Sequence, residues 1–132
     1  MRLQQIRLIG TTNSGGTAIV VSEAAYLGLI HTVQWVDGDL ADGVSFALSN
    51  TGTAAGVDYT ILSISSGSAN SDARWKPRDS ISSLAGAVAV YTSDNKPIRL
   101  GEVVIDGKLT LVIANGGDTK TGGCYVYLLV ND

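Results

Sequence analysis

The sequence predicts an all-β protein built as a two-sheet β-sandwich, and three observations carry that prediction. Several runs alternate apolar and polar residues with period two, as Val44, Phe46 and Leu48 do against Ser45, Ala47 and Ser49. The 16 glycines are spread through Gly-Gly, Gly-Thr and Asp-Gly pairs and accompany only 2 prolines, a punctuation that suits many short strands joined by turns. No segment reads unambiguously as a helix, where each glycine costs about 1 kcal/mol relative to alanine.

Length and composition bound the rest. A chain of 132 residues is expected to form one domain, 1–132, with a core that needs no staples. Hydrophobic residues make up 45% and charged residues 16%, so the low-charge surface suits burial against a partner. No apolar run reaches the roughly 20 residues of a membrane span, and Met1 to Gln5 hold no apolar leader segment. Neither a membrane nor a signal peptide is expected. Cys124 is the single cysteine and cannot form an internal disulfide. A net charge of −3 and a pI near 4.9 argue against nucleic acid as a partner.

Taken in order, Arg2 to Ile9 reads as a strand with Ile6 and Leu8 on one face and Arg7 on the other. Gly10 to Gly16 is a loop, and the β-branched run Thr17 to Ser22 is a second strand. Glu23 to Leu27 has the length of one helical turn, but Gly28 ends it, so an edge connection is expected. Gly28 to Asn50 reads as a hairpin: two strand-like runs flank Asp37-Gly-Asp-Leu-Ala-Asp-Gly43, whose Asp-Gly pairs supply the positive φ angles of a tight reversal. Trp35 and Phe46 are its aromatic anchors, and Leu29, His31, Val33 and Trp35 share a parity.

Thr51 to Gly56 is a small-residue loop, Asp58 to Ser66 a strand and Gly67 to Asp72 a polar connection. Ser80 to Tyr91 fits a helical stripe through Leu84, Val88 and Tyr91 or a strand over Ala87 to Tyr91; an irregular connection ending in a strand is expected. Ile98, Leu100 and Val104 lead into Asp106-Gly107, a second hairpin signal. Lys108 to Ala114 places Leu109, Leu111 and Ile113 on one face. Asn115 to Gly123 is a polar loop. Cys124 to Val130 sets Cys124, Val126, Leu128 and Val130 against Tyr125, Tyr127 and Leu129, which predicts a central strand covered on both sides. About eight strands of this kind make a sandwich of jelly-roll or Greek-key topology, or a small barrel.

Each motif with chemical character has a structural competitor. Asp37 to Gly43 brings carboxylates to the spacing of a calcium loop. Its third acidic position is displaced and no bidentate glutamate follows, so turn chemistry accounts for it better. Gly116 to Gly123 lacks the order of a phosphate loop, with no helix behind it. His31 is the single histidine; with no cysteine partner at zinc spacing and no Gly-x-Ser-x-Gly elbow, it reads as a strand histidine hydrogen-bonded in or near the core. Cys124 reads as a small buried residue. No catalytic residue, metal ligand or cofactor is therefore expected. Arg74, Trp75, Lys76 and Arg78 form the basic and aromatic cluster. Trp and Arg are enriched at interface hot spots, which makes these four the candidate partner-binding residues. The competing reading folds Trp75 back onto the core edge and leaves the charges solvated.

The run Val33 to Val44 (VQWVDGDLADGV), the run Gly101 to Gly123 (GEVVIDGKLTLVIANGGDTKTGG) and the Trp75-Lys-Pro-Arg78 piece between them resemble small virion proteins of tailed bacteriophages, of the capsid decoration or cement type. The resemblance implies a non-enzymatic jelly-roll sandwich that assembles as a dimer or trimer. It implies the major capsid protein as partner and the exterior of the head shell as location. No extended arm is expected ahead of the first strand, which departs from one common pattern. The alternative is a tail or fibre host-recognition module that binds carbohydrate through exposed Trp, Tyr and acidic loops.

Overall fold

The computed structural model describes residues 2–52, 58–65, 68–80 and 100–130, with the backbone alone at 78–80 and 100–102. These residues form β1 (Arg2–Thr11), β2 (Ala18–Val21), β3 (Gly28–Val36), β4 (Ser45–Thr51), β5 (Tyr59–Ile64), β6 (Ala73–Trp75), β7 (Arg78–Ser80), β8 (Leu100–Glu102), β9 (Val104–Ile105), β10 (Lys108–Ala114) and β11 (Thr121–Val130). No helix occurs among them, and Glu23 to Leu27 is a plain connection.

Two antiparallel sheets pack face to face as a β-sandwich. Sheet A has the order β1-β11-β3-β6, with β9 sharing the far edge of β3. Sheet B has the order β2-β10-β4-β5, and β7 pairs with β8 apart from both. The inward faces follow from the period-two patterns. Ile6, Leu8, Val126 and Leu128 come from sheet A, and Phe46, Leu48, Leu111 and Ile113 come from sheet B; all are buried. Each such side chain contributes about 1.5–3 kcal/mol on leaving water.

Trp35 and Phe46 sit at the centre of this interface. Their rings stack at 4.1 Å and 9°, and Trp75 leans on Phe46 at 5.7 Å and 56°. Trp35 is fully buried, and its indole N–H donates to the Ala69 carbonyl at 2.9 Å, which meets the need of a buried polar atom for a partner.

The hairpin expected over Gly28 to Asn50 is not formed. β3 pairs with β11, β6 and β9, whereas β4 pairs with β10 and β5. The acidic turn carries the chain from sheet A to sheet B, so Trp35 and Phe46 meet across the core instead of along one sheet. Asp106-Gly107 likewise passes from β9 in sheet A to β10 in sheet B. An Asp-Gly pair specifies a reversal; the partner of each strand is chosen by distant residues. Gly38 shows how tight the reversal is: its φ is +58° and a Cβ there would lie 2.2 Å from the Thr121 carbonyl oxygen.

Two bulges break the expected parities. Thr32 pairs with Tyr127 and Ile30 with Leu128, leaving His31 as the extra residue. Ile30 therefore joins Val33 and Trp35 in the core, while His31 is exposed. The histidine expected in or near the core keeps its strand place and a hydrogen bond, to Thr32, but on the exposed side. A second shift leaves Ile61 as the extra residue of β5, which lets Tyr59, Ile61, Leu62 and Ile64 all pack against the core. β11 is central, between β1 and β3. Its Tyr125, Tyr127 and Leu129 are half-buried on the outer face, where the described residues form no further layer. The readings of Ser80 to Tyr91 beyond Ser80, of Ile98 and of 53–56 fall outside the described residues.

Replacing Trp35 with alanine removes the stack and orphans the Ala69 carbonyl. The expected loss is about 3–5 kcal/mol of unfolding free energy in urea titrations. Trp75→Ala, at a half-buried site, should lose clearly less; equal losses would mean that the interface is not centred on Trp35.

Candidate functional site

The Arg74 to Arg78 run is divided by strand geometry. Successive residues of β6 point to opposite faces. Trp75 pairs with Val33 and turns inward against Phe46, while Arg74 pairs with Gln34 on the outer face. The Arg74 guanidinium donates to Gln34 Oε1 at 3.0 Å and is exposed, as is Lys76. Pro77 is buried between them and β7. Arg78 opens β7 opposite Glu102 in the register, and its side chain falls outside what is described. Trp75 thus fills the core edge, and Arg74 belongs to a different surface.

That surface is the outer face of sheet A. Cross-strand rows follow from the register: Arg7, Tyr125, Gln34 and Arg74; Gln5, Tyr127 and Thr32; Leu3, Leu129, Leu29 and Val104. Arg7 and Arg74 stand three strand spacings apart, about 14 Å. Tyr127 accepts a hydrogen bond from Gln5 Nε2 at 2.9 Å. His31 Nδ1 lies 2.7 Å from Thr32 Oγ1. Leu3, His31, Thr32, Arg74 and Tyr127 line an open basin of about 200 Å3, and Thr32, although it faces outward, is buried at its floor. Arg7 also borders a groove beside Ser22, Glu23 and Tyr26 where the β1 and β2 edges approach.

The sequence pointed to Arg74 alone among these residues. A signal for the others lay in Tyr125 and Tyr127, set against the apolar alternates of β11. Their flanking by Gln5 and Gln34 depends on pairings across 122 and 91 positions (Gln5 with Tyr127, Gln34 with Tyr125), and no local pattern encodes that.

The outer face of sheet B is different. Ile19, Val21 and Val112 are exposed there, beside Ala47, Ser49 and Thr110. Lys108, at one end of β10, is the sole ionisable side chain on this face within the four strands.

The two loops weighed above as ion sites are occupied by their own hydrogen bonds. In the acidic turn, Asp39 Oδ1 accepts from Thr121 N at 2.6 Å, and Asp72 Oδ1 from Asp37 N at 2.9 Å. Ala41 N donates to the Gly116 carbonyl at 2.9 Å and Gly116 N to the Gly16 carbonyl at 2.9 Å. The acidic turn, the 12–17 loop and the glycine loop thus form one knotwork at this end of the sandwich. Among the described residues, no group of three His, Cys, Asp or Glu is arranged to hold a metal ion. Cys124 is buried, and that burial pushes its thiol up to about 12, far from the lowered range of a nucleophilic thiolate.

No family model matches the chain, and no curated protein or solved structure matches it either.

Two outcomes follow from this chemistry. A disulfide reagent such as Ellman's should leave the native protein unmodified at pH 8 and titrate one thiol in denaturant; rapid native reaction would mean that Cys124 is reached by solvent. The Asp37 carboxyl is raised above its ordinary 3.8, first by desolvation and then by repulsion from Asp72, Asp42 and Asp39. An acid whose folded pKa is raised binds its proton more readily in the native state, so stability falls as pH rises from 3.8 through the raised value. Asp37→Asn should therefore raise Tm at pH 7 and give no gain at pH 3. A lowered Tm at pH 7 would mean that the carboxylate supports the turn.

Proposed function

We propose that this protein is a non-enzymatic phage decoration protein that binds the assembled head shell and reinforces it. The observation that carries the reading is the outer face of sheet B, where Ile19, Val21 and Val112 are exposed on a strand surface almost free of charge. Burying such a face desolvates little charge and removes apolar area from water. The likeness of the 33–44 and 101–123 runs to small virion proteins supports the same reading. So does the strand order, since chain neighbours β1 and β2, β3 and β4, and β10 and β11 lie in opposite sheets, as in jelly-roll wrapping.

A rigid sandwich seated across neighbouring capsid subunits makes contacts that the assembled lattice alone offers. A ligand of the assembled state stabilises it by mass action. The major capsid protein is the partner in this reading, and a dimer or trimer of the chain suits binding at a symmetry axis of the shell. In this reading Trp75 acts by holding the core edge, and Arg74, on the outer face of sheet A, lies away from the docking face.

A second reading, a tail or fibre module that binds carbohydrate, draws support from the opposite face, where two tyrosines lie among glutamines and arginines.

The test is co-sedimentation with expanded, undecorated capsids of the cognate phage. Saturable binding at a lattice stoichiometry is expected, with Ile19→Lys or Val112→Lys weakening it by about tenfold or more and leaving Tm unchanged. Failure of the folded wild-type protein to bind would end the shell reading.

A further inference from the structure

We propose that the basin at the His31 bulge binds a carboxylated saccharide, its carboxylate on Arg74 and its ring against Tyr127 and Leu3. The inference rests on the carbohydrate reading for its ligand class and is independent of docking through sheet B.

The donors of the basin are only partly used. Arg74 gives one hydrogen bond to Gln34, which leaves most of its five N–H groups open to solvent. Tyr127 accepts from Gln5 Nε2, so its own O–H is left to donate. His31 is held at Nδ1 by Thr32, which turns Nε2 away from that contact. Among the described residues no carboxylate lines the basin, and none of the five strands of sheet A contains Asp or Glu, although the chain has 12 acidic residues. Among the described lining residues, an anion arriving here meets donors and no repelling carboxylate.

Charge density selects the class of anion. Among the described lining residues Arg74 is the permanent cation, which matches one carboxylate in bidentate contact. Nucleic acid carries a charge every 1.7 Å or so and needs a line of cations. The groups around Arg74 are neutral and bifunctional: the amides of Gln5 and Gln34 and the hydroxyl of Thr32 both donate and accept, as sugar hydroxyls require. Leu3 and the half-buried Tyr127 ring give the apolar contact that a pyranose face takes. The bulge is the further sign. It interrupts the β3–β11 ladder in mid-strand, and its effect is to aim His31 at the basin and seat Thr32 as the floor; bulges of this kind re-aim side chains beside binding sites.

The experiment is an NMR amide titration of the full-length protein with trigalacturonate, repeated with its methyl ester. Saturable shifts confined to residues 3–7, 30–34, 74 and 125–129 are expected. Arg74→Gln should weaken binding by about tenfold or more, as should esterification, and Tyr127→Phe should weaken it less. Ile19→Lys on sheet B should leave it unchanged. Equal binding of acid and ester, or shifts elsewhere on the molecule, would overturn the site while keeping carbohydrate binding. A sulfated oligosaccharide or a peptide with a free C-terminus binding the basin in preference would overturn the ligand class. No binding of the acid or the ester, with no hit on a glycan array, would remove the carbohydrate reading itself.

Discussion

Everything in this molecule depends on the stack of Trp35 on Phe46. The two rings belong to strands that follow one another in sequence yet lie in opposite sheets. Their contact fixes the spacing of the sheets, closes the acidic turn between them and gives Trp75 a surface to lean on. The indole bond to Ala69 ties the 68–72 segment to the same point, and from there Asn70 and Asp72 reach Gly43 N and Asp37 N. One aromatic pair thus anchors the core and, through two side-chain bonds, the loops at one end.

Much of the fold was legible in the sequence because burial writes itself in period two. Leu109, Leu111 and Ile113 are buried as their alternation requires, and so are Cys124, Val126, Leu128 and Val130. Two things escaped for physical reasons. Parity is a count, and one unpaired residue reverses it; His31 and Ile61 each do so. Turn chemistry is local, whereas pairing is not. Asp37-Gly38 and Asp106-Gly107 specify reversals that serve equally well between sheets as within one. The candidate site suffered from the same limit. Arg74 and Trp75 are neighbours in sequence, and the pleat sends them to opposite sides. The basin joins Leu3, His31, Arg74 and Tyr127, four residues that no single stretch contains.

The placement of charge gives the molecule three distinct surfaces. Carboxylates gather in the turns, where Asp39, Asp72 and Asp118 accept hydrogen bonds from nearby backbone and side-chain donors. Sheet B offers short side chains and three exposed aliphatics. Sheet A offers tyrosines, amides and guanidiniums. Because the two outer faces are separated by the whole thickness of the core, a partner on one leaves the other open. The two proposals, a shell under sheet B and a saccharide on sheet A, are therefore sterically compatible on one molecule.

The ladder between β1 and β11 has a further meaning. It runs without a break from Arg2↔Val130 to Thr11↔Thr121, and side chains meet along it, as Gln5 and Tyr127 do from 122 positions apart in sequence. Closing so long a loop is entropically unfavourable before the contacts that reward it exist. β11 follows every other described strand in the chain, so β1 has no partner in its own sheet until β11 has been made. Closure of this sheet therefore waits on its most distant pairing, the kind of topology that slows folding. Until β11 arrives, the strands already made have open edges that another chain can pair with.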